Sequence, residues 1–335
     1  LILFGYLMSV MSAGKYAPLR HTDFAKGTNT VSTRAKLSAA ALALAASTLL
    51  AGCASSAPGN AQTPEAAAGF AKDSSTLVFG VVPDSVDTET NYRPLMDYLE
   101  IKTGKTVEYH ESTDYAALIE ASVAGKIDVA SFSGFTYITA TNNGAKLTPV
   151  SSIVTKEGQE PGYYSQAIVP VDSEISAVAD FKGKKVCFVD PSSTSGYLFP
   201  SYNLGKEGID VKTDITTVFA GKHDVSVTKT AEGKECEVGF AEDSEVEKND
   251  KVKVVGETMV PGAPIVVSQN LPADLSTEVA GLLKELSIDE IAAAGVKGAD
   301  SEGFKAVFFE TKPVDDAYYN TIRDICKSTN ASQCQ

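Results

Sequence analysis

From residue 76 onward, short apolar runs alternate with helical spacing. Thr76-Leu77-Val78-Phe79-Gly80-Val81-Val82-Pro83 is a continuous apolar run closing on proline, which predicts a buried strand entering a loop. Leu95, Leu99 and Ile101 then predict a helix that stops at Thr103-Gly104-Lys105. A strand at Val107–His110, a helix from Thr113-Asp114-Tyr115 to Ala124-Gly125, a strand at Ile127–Phe132 and a helix over Phe135–Thr141 follow. After an extended segment, Tyr163–Val171, the pattern repeats. Lys184–Val189 is predicted as a strand, about Gly196–Leu204 as a helix, Thr213–Phe219 as a strand, Asp224–Thr230 as a helix and Cys236–Phe240 as a strand. A second extended segment, Lys253–Ser268, contains Pro261-Gly262-Ala263-Pro264, and helices over Leu275–Leu286 and Asp315–Cys326 finish the chain.

Alternating strands and helices at this spacing predict an α/β fold with mostly parallel sheets flanked by helices. Two extended segments bracket the middle block, so the expected architecture is two-lobed and discontinuous. Residues 76–163 and 269–335 would form lobe 1, and 164–268 lobe 2 with two hinge strands. Ligands of such sheets sit in the crevice at the strand C-terminal ends.

The first fifth of the chain has a different character. Leu37–Leu50 is a small-residue apolar run behind Arg34 and Lys36, ending in Leu50-Ala51-Gly52-Cys53. A charged start, a short apolar stretch and small residues at the cut predict a signal peptide over 1–52. The cysteine after the small pair matches a bacterial lipobox, so Cys53 is the expected lipidation site. The run falls short of the ~20 apolar residues a span needs. Residues 1–30 precede an already complete signal, as a start codon assigned too far upstream would leave them. Residues 53–75, rich in Ala, Ser, Pro, Gly and Thr, read as a flexible tether. The expected location is therefore the extracytoplasmic face of the cell membrane.

Without residues 1–52 the chain keeps 24 Lys+Arg against 42 Asp+Glu, a formal charge of −18. Such a chain disfavours nucleic acid and anionic membranes as partners. An anion site in it must work through local dipoles and hydrogen bonds, against the global field. Four cysteines remain beside Cys53, and an even number in an exported chain suggests two disulfides. Three pairings are formally possible; locality favours Cys187 with Cys236 and Cys326 with Cys334. Three histidines and no Cys-x-x-Cys give no expectation of a metal or other cofactor.

Asp190-Pro191-Ser192-Ser193-Thr194-Ser195-Gly196 joins a predicted strand to a predicted helix. Free helix-start N–H groups, the helix dipole and converging hydroxyls there suit a tetrahedral oxyanion, although an isolated Ser/Thr cap has the same look. Ser133-Gly134 repeats the theme, Thr113 is placed to cap the helix carrying Tyr115, and Gly221-Lys222-His223-Asp224 precedes another helix. Pro161-Gly162-Tyr163-Tyr164 puts two tyrosines at the first crossing strand. Catalytic readings find little support. Ser193, His223 and Asp224 supply triad residue types, but adjacent His and Asp side chains diverge. No nucleophile elbow, phosphate loop or dinucleotide fingerprint is present. Glu242-Asp243-Ser244-Glu245-Val246-Glu247 reads as a solvated acidic turn.

Asp114-Tyr115-Ala116, Pro161-Gly162-Tyr163, Ser193-Thr194-Ser195-Gly196, Gly221 with His223-Asp224, and Val260-Pro261-Gly262 resemble, in order and spacing, the phosphonate/phosphite solute-binding proteins of ABC importers. The resemblance covers nearly all of 76–335 and implies a two-lobed, periplasmic-binding-protein-like fold, a membrane permease as partner and no enzymatic activity. It implicates Tyr115, Tyr163, Ser193, Thr194, Ser195 and His223 in gripping the ligand, with Ser133 beside them. Family members that bind aminoalkylphosphonates carry an acidic residue just after the Pro-Gly, where this chain has Ala263; a second acidic position aligns near Glu245. The expected ligand is thus a small phosphorus oxyanion without an amine, held by a monomer. The rival readings are an exported hydrolase using Ser193, and a sensor or adhesion lipoprotein using the same cleft.

Overall fold

In the computed structural model the described residues are 69–329 and 331–334; the expected signal peptide, Cys53 and the tether up to residue 68 lie outside them. The chain builds β1 (Thr76–Val81), α1 (Thr88–Thr103), β2 (Thr106–His110), α2 (Tyr115–Val123), β3 (Val129–Ser131), α3 (Gly134–Asn142) and β4 (Leu147–Val154). It then crosses to form β5 (Tyr163–Pro170), β6 (Lys185–Phe188), α4 (Phe199–Lys206), β7 (Thr216–Phe219), α5 (His223–Glu232), β8 (Val238–Glu242), α6 (Asp243–Val246) and β9 (Val252–Val260). It returns through β10 (Pro264–Ser268), α7 (Ala273–Lys284), α8 (Ile288–Ala293), α9 (Glu302–Val307), β11 (Glu310–Pro313) and α10 (Asn320–Thr329).

Two mixed sheets result, six strands in the order β11-β4-β10-β3-β1-β2 and five in the order β7-β6-β8-β5-β9. The βα units pair in parallel: β1 with β2 and β3, and β6 with β7 and β8. Strands next to the crossings enter antiparallel: β10 against β3 and β4, and β5 against β8 and β9. Pro264–Ser268, assigned from sequence to lobe 2, is therefore a fully buried strand of the first sheet, because the chain re-enters lobe 1 at Pro261-Gly262. Residues 69–75, read as tether, are likewise part of lobe 1. Asp128, 1% exposed, accepts from the N–H groups of both Ala71 and Val78, and Lys105 lies over the Phe70 ring. An unpaired buried carboxylate would be costly, so these bonds hold the segment down.

Tyr318 ties the two crossings together: its hydroxyl donates to Pro161 O and accepts from Gly262 N–H. On one flank the lobes share an apolar cluster in which Phe135 and Ile322 of lobe 1 meet Leu198 and Phe199 of lobe 2. Disulfides join Cys187 to Cys236 beside the β6–β8 pair, and Cys326 to Cys334 around the last loop. The chain-entropy picture assigns such loops about 4 and about 3 kcal/mol respectively. No described helix is long and apolar enough to cross a membrane.

Candidate functional site

The parallel strands end facing the space between the lobes. Asp84 follows β1, Tyr115 follows β2, Ser133 follows β3, the Ser/Thr turn follows β6, His223 follows β7, and Glu242 ends β8. A cavity of about 320 Å³ lies there, with Tyr115, Ser133, Tyr163 and His223 in its wall. Val82, Phe132, Ile153, Ala263 and Val307 give it an apolar side, and Lys156, Lys248 and Lys305 also border it.

Local capping sets each helix start. Asp114, not Thr113, caps α2, accepting from Ala117 N–H at 2.8 Å, so Tyr115 is the first helical residue. Ser133 caps α3 and Ser193 caps its own turn, accepting from Gly196 N–H at 3.0 Å. That turn is not the α-helix expected from Gly196 onward. Residues Thr194–Leu198 form a wider π-type turn, with Leu198 N–H bonded to Ser193 O, before α4 begins. Such widened turns recur at functional sites. Gly196 is required by close approach, since a Cβ there would lie 2.4 Å from Val189.

Ser193, Thr194 and Ser195 are almost completely buried and are not among the residues in the cavity wall. Tyr163 links them to it, because its hydroxyl approaches Ser195 and Thr194. Ser195 Oγ nevertheless has no hydrogen-bond partner among the described residues. Thr194 Oγ1 accepts from Phe135 N–H across the cleft at 2.8 Å and keeps its proton free. Thr136 donates across the cleft to Ser192 O at 3.1 Å. Its oxygen then accepts from Ser133 at 2.7 Å, so the Ser133 proton is committed within its own helix start. The helix-start N–H groups of Phe135, Thr136 and Gly196, expected to face an anion, are thus already taken. The N–H groups of Gly134, Thr194 and Ser195 have no partner among the described residues, and with the side-chain hydroxyls they remain as donors for a ligand. Tyr115, 1% exposed, makes no hydroxyl hydrogen bond among the described residues. Burial pushes it and Tyr163 well above the usual tyrosine range, so both remain proton donors.

The opposite end of the cavity carries carboxyls that sequence reasoning missed. Glu242 is not part of a solvated turn: it lines the cavity, accepts from Ser244 Oγ at 2.9 Å, and is followed by a buried Glu245 that pairs with Lys248 at 2.5 Å. Asp84 lines it from lobe 1 and accepts from Thr88 Oγ1 at 2.7 Å. His223 stands between them. Its N–H donates to Asp84 O at 2.8 Å, and its Nδ1 accepts from Glu242 N–H at 2.9 Å. The neutral ring must then carry its proton on Nε2. Burial lowers His223 to about 4 despite the surrounding acids. Burial first, and Glu245 second, raise Glu242 to about 8; burial and then Glu242 raise Asp84 to about 7. With its ring neutral, the 3.9 Å approach of His223 Nε2 to Glu242 Oε2 is not an ion pair near pH 7. No group of three or more His, Cys, Asp or Glu is arranged to hold a metal among the described residues. The signal for this end was positional: both acids sit at or just past the C-terminal end of a parallel strand.

Comparison with known proteins agrees with this geometry. Residues 79–310 match the family described as ABC transporter, phosphonate, periplasmic substrate-binding protein. The chain is 35% identical over 289 residues to the phosphate-import protein PhnD of Mycolicibacterium smegmatis, covering 78% of this chain and 88% of that one. It is 30% identical over 213 residues to the phosphonates-binding periplasmic protein of Escherichia coli, covering 58% and 61%. The structure of PhnD1 from Prochlorococcus marinus in complex with methylphosphonate superposes with a TM-score of 0.67 at 16% identity, over 77% of this chain and 99% of that one. These are two-lobed binding proteins that serve a membrane permease, not enzymes. Ser193, the nucleophile of the hydrolase reading, is a buried cap outside the cavity wall. The chain belongs to the periplasmic substrate-binding proteins of phosphonate ABC transporters.

Proposed function

We infer that this chain is the lipid-anchored, monomeric capture component of an importer for a small phosphorus oxyanion that lacks an amine. Anchoring is through Cys53 on the extracytoplasmic face. The observation that carries the ligand reading is the wall of uncharged donors, Tyr115, Tyr163 and His223 Nε2–H, combined with apolar Ala263 where amine-binding relatives carry an acid. Thr194 and Ser195 stand behind Tyr163 with protons still to give. Hydrogen bonds from such donors to an anion are shorter and roughly twice as strong as those between neutral groups. Phosphite, phosphate and methylphosphonate fit this chemistry, and the phosphate named for the M. smegmatis relative supports it. Closure brings the Ser/Thr turn of lobe 2 onto the α3 start of lobe 1 through Thr194 and Thr136.

The carboxyls of Glu242 and Asp84 favour one second reading, an aminoalkylphosphonate whose ammonium meets them. Calorimetric titration with phosphite, phosphate, methylphosphonate and 2-aminoethylphosphonate separates the two. The expected result is tight binding of at least one amine-free anion and weaker binding of the amine. Tight binding of 2-aminoethylphosphonate alone overturns the reading. For the anchor, Cys53→Ser is expected to move the protein from the membrane to the soluble fraction of cells.

A further inference from the structure

Asp84 and Glu242 reach one cavity from opposite lobes, each with one carboxyl oxygen already accepting a hydroxyl, from Thr88 and Ser244. What surrounds them is short of positive charge. Asp224, Asp243 and Glu245 add negative charge around His223. Of the nearby lysines, Lys248 is bound to Glu245 at 2.5 Å, Lys222 to Ser85 O at 3.1 Å and Lys156 to Glu247 at 3.2 Å, while Lys305 is an exposed side chain on the cavity border. Tyr92, Tyr115 and Tyr163 contribute hydroxyls, and His223 is a neutral Nε2–H donor. Two carboxylates cannot both stay ionised in such a pocket once an anion enters it. A ligand in the pocket would meet the Tyr115 hydroxyl, which makes no hydrogen bond among the described residues, and the buried Ser195 Oγ, also without a partner, stands behind Tyr163.

We propose that Asp84 and Glu242 hold the oxyanion as proton-bearing carboxyls, donating to it beside His223 Nε2–H, so that closure of the lobes on the ligand takes up protons from solvent. This rests on the oxyanion reading above and reverses the role a carboxylate would play toward an amine. An ammonium ligand would keep the pair ionised and require no uptake.

The sign follows from the two states. In the open form each carboxyl regains water and returns toward the ordinary carboxylate range near ~4. In the closed form Asp84 titrates at about 7 and Glu242 at about 8. Closure therefore takes up protons between these limits and none above them. Affinity falls as pH rises through that window, about tenfold per pH unit for each proton taken up. The second ionisation of the ligand acts equally on wild type and variants, so it cancels between them.

The test is calorimetry on the full chain at about pH 6, in two buffers of different ionisation enthalpy, with phosphite, phosphate and methylphosphonate as probes. It compares wild type with Glu242→Gln and Asp84→Asn, each checked for native circular dichroism; either folded variant suffices. With the tightest probe, each variant is expected to take up about one proton fewer than wild type. Glu242→Gln is also expected to lose about tenfold per pH unit of the wild-type pH dependence, so that above pH 8 it binds at least as tightly. Binding with equal proton counts in wild type and variants overturns the proposal while leaving the oxyanion reading intact. If none of the three anions binds wild type, both fall together.

Discussion

The two ends of the cleft hold their ligand-facing groups in opposite ways. At the hydroxyl end, Tyr115, Tyr163, Thr194 and Ser195 are neutral at any physiological pH, and the turn behind them is locked by Ser193, Gly196 and the cross-cleft bond to Phe135. At the carboxyl end, Asp84, His223 and Glu242 are all titratable, and burial moves each of them toward its neutral form. The first end supplies fixed donors. The second supplies donors conditional on closure. A binding protein that must also release its cargo gains from that division, because opening rehydrates both ends but changes the charge of only the second.

The largest expected effect comes from making the carboxyl end permanently charged. Ala263→Asp adds a carboxylate to the cavity wall beside Glu242 and Asp84, where it repels the oxyanion, a loss on the order of 3 kcal/mol. Phosphite affinity by calorimetry should fall about a hundredfold or more, while 2-aminoethylphosphonate affinity rises. Next is Thr194→Val, of nearly the same shape. It removes a donor and leaves Phe135 N–H buried without its acceptor, costing about 1–3 kcal/mol in the closed complex. A lowered affinity with an almost unchanged urea midpoint for the ligand-free protein would place the loss in closure. Tyr115→Phe keeps the packed ring and deletes one free donor, and about a tenfold loss is expected. The smallest loss near pH 6, or none, is expected for Glu242→Gln, because glutamine mimics the protonated acid and needs no proton uptake. If that variant instead lost as much as Thr194→Val at every pH, the contrast between the two ends would collapse.

The sequence made the hydroxyl end visible and hid the other. Short apolar runs and turn residues located most βα units, and ordered motifs marked Tyr115, Tyr163, the Ser/Thr turn and His223 as one group. Pro161-Gly162 and Pro261-Gly262 proved to be the crossing points held by Tyr318. Glu242 was lost in an acidic run whose composition reads as solvent-facing, although its place as the last residue of β8 turns it inward. Asp84 stood in a loop without a motif. A tertiary contact also took up the helix-start N–H of Phe135: a cross-cleft acceptor such as Thr194 has no signature in local sequence. β11 escaped notice because Glu310–Pro313 is a short, polar strand set by its pairing with β4 rather than by any alternation of its own.

The most direct test is a crystal structure of the protein grown with methylphosphonate. Closed lobes are expected, with phosphonate oxygens within hydrogen-bond distance of the Tyr115 hydroxyl, His223 Nε2 and Glu242, and the methyl group against the side that includes Ala263. A ligand bound outside this cavity, or one whose oxygens avoid Glu242 and Asp84 while the methyl group faces them, would contradict this.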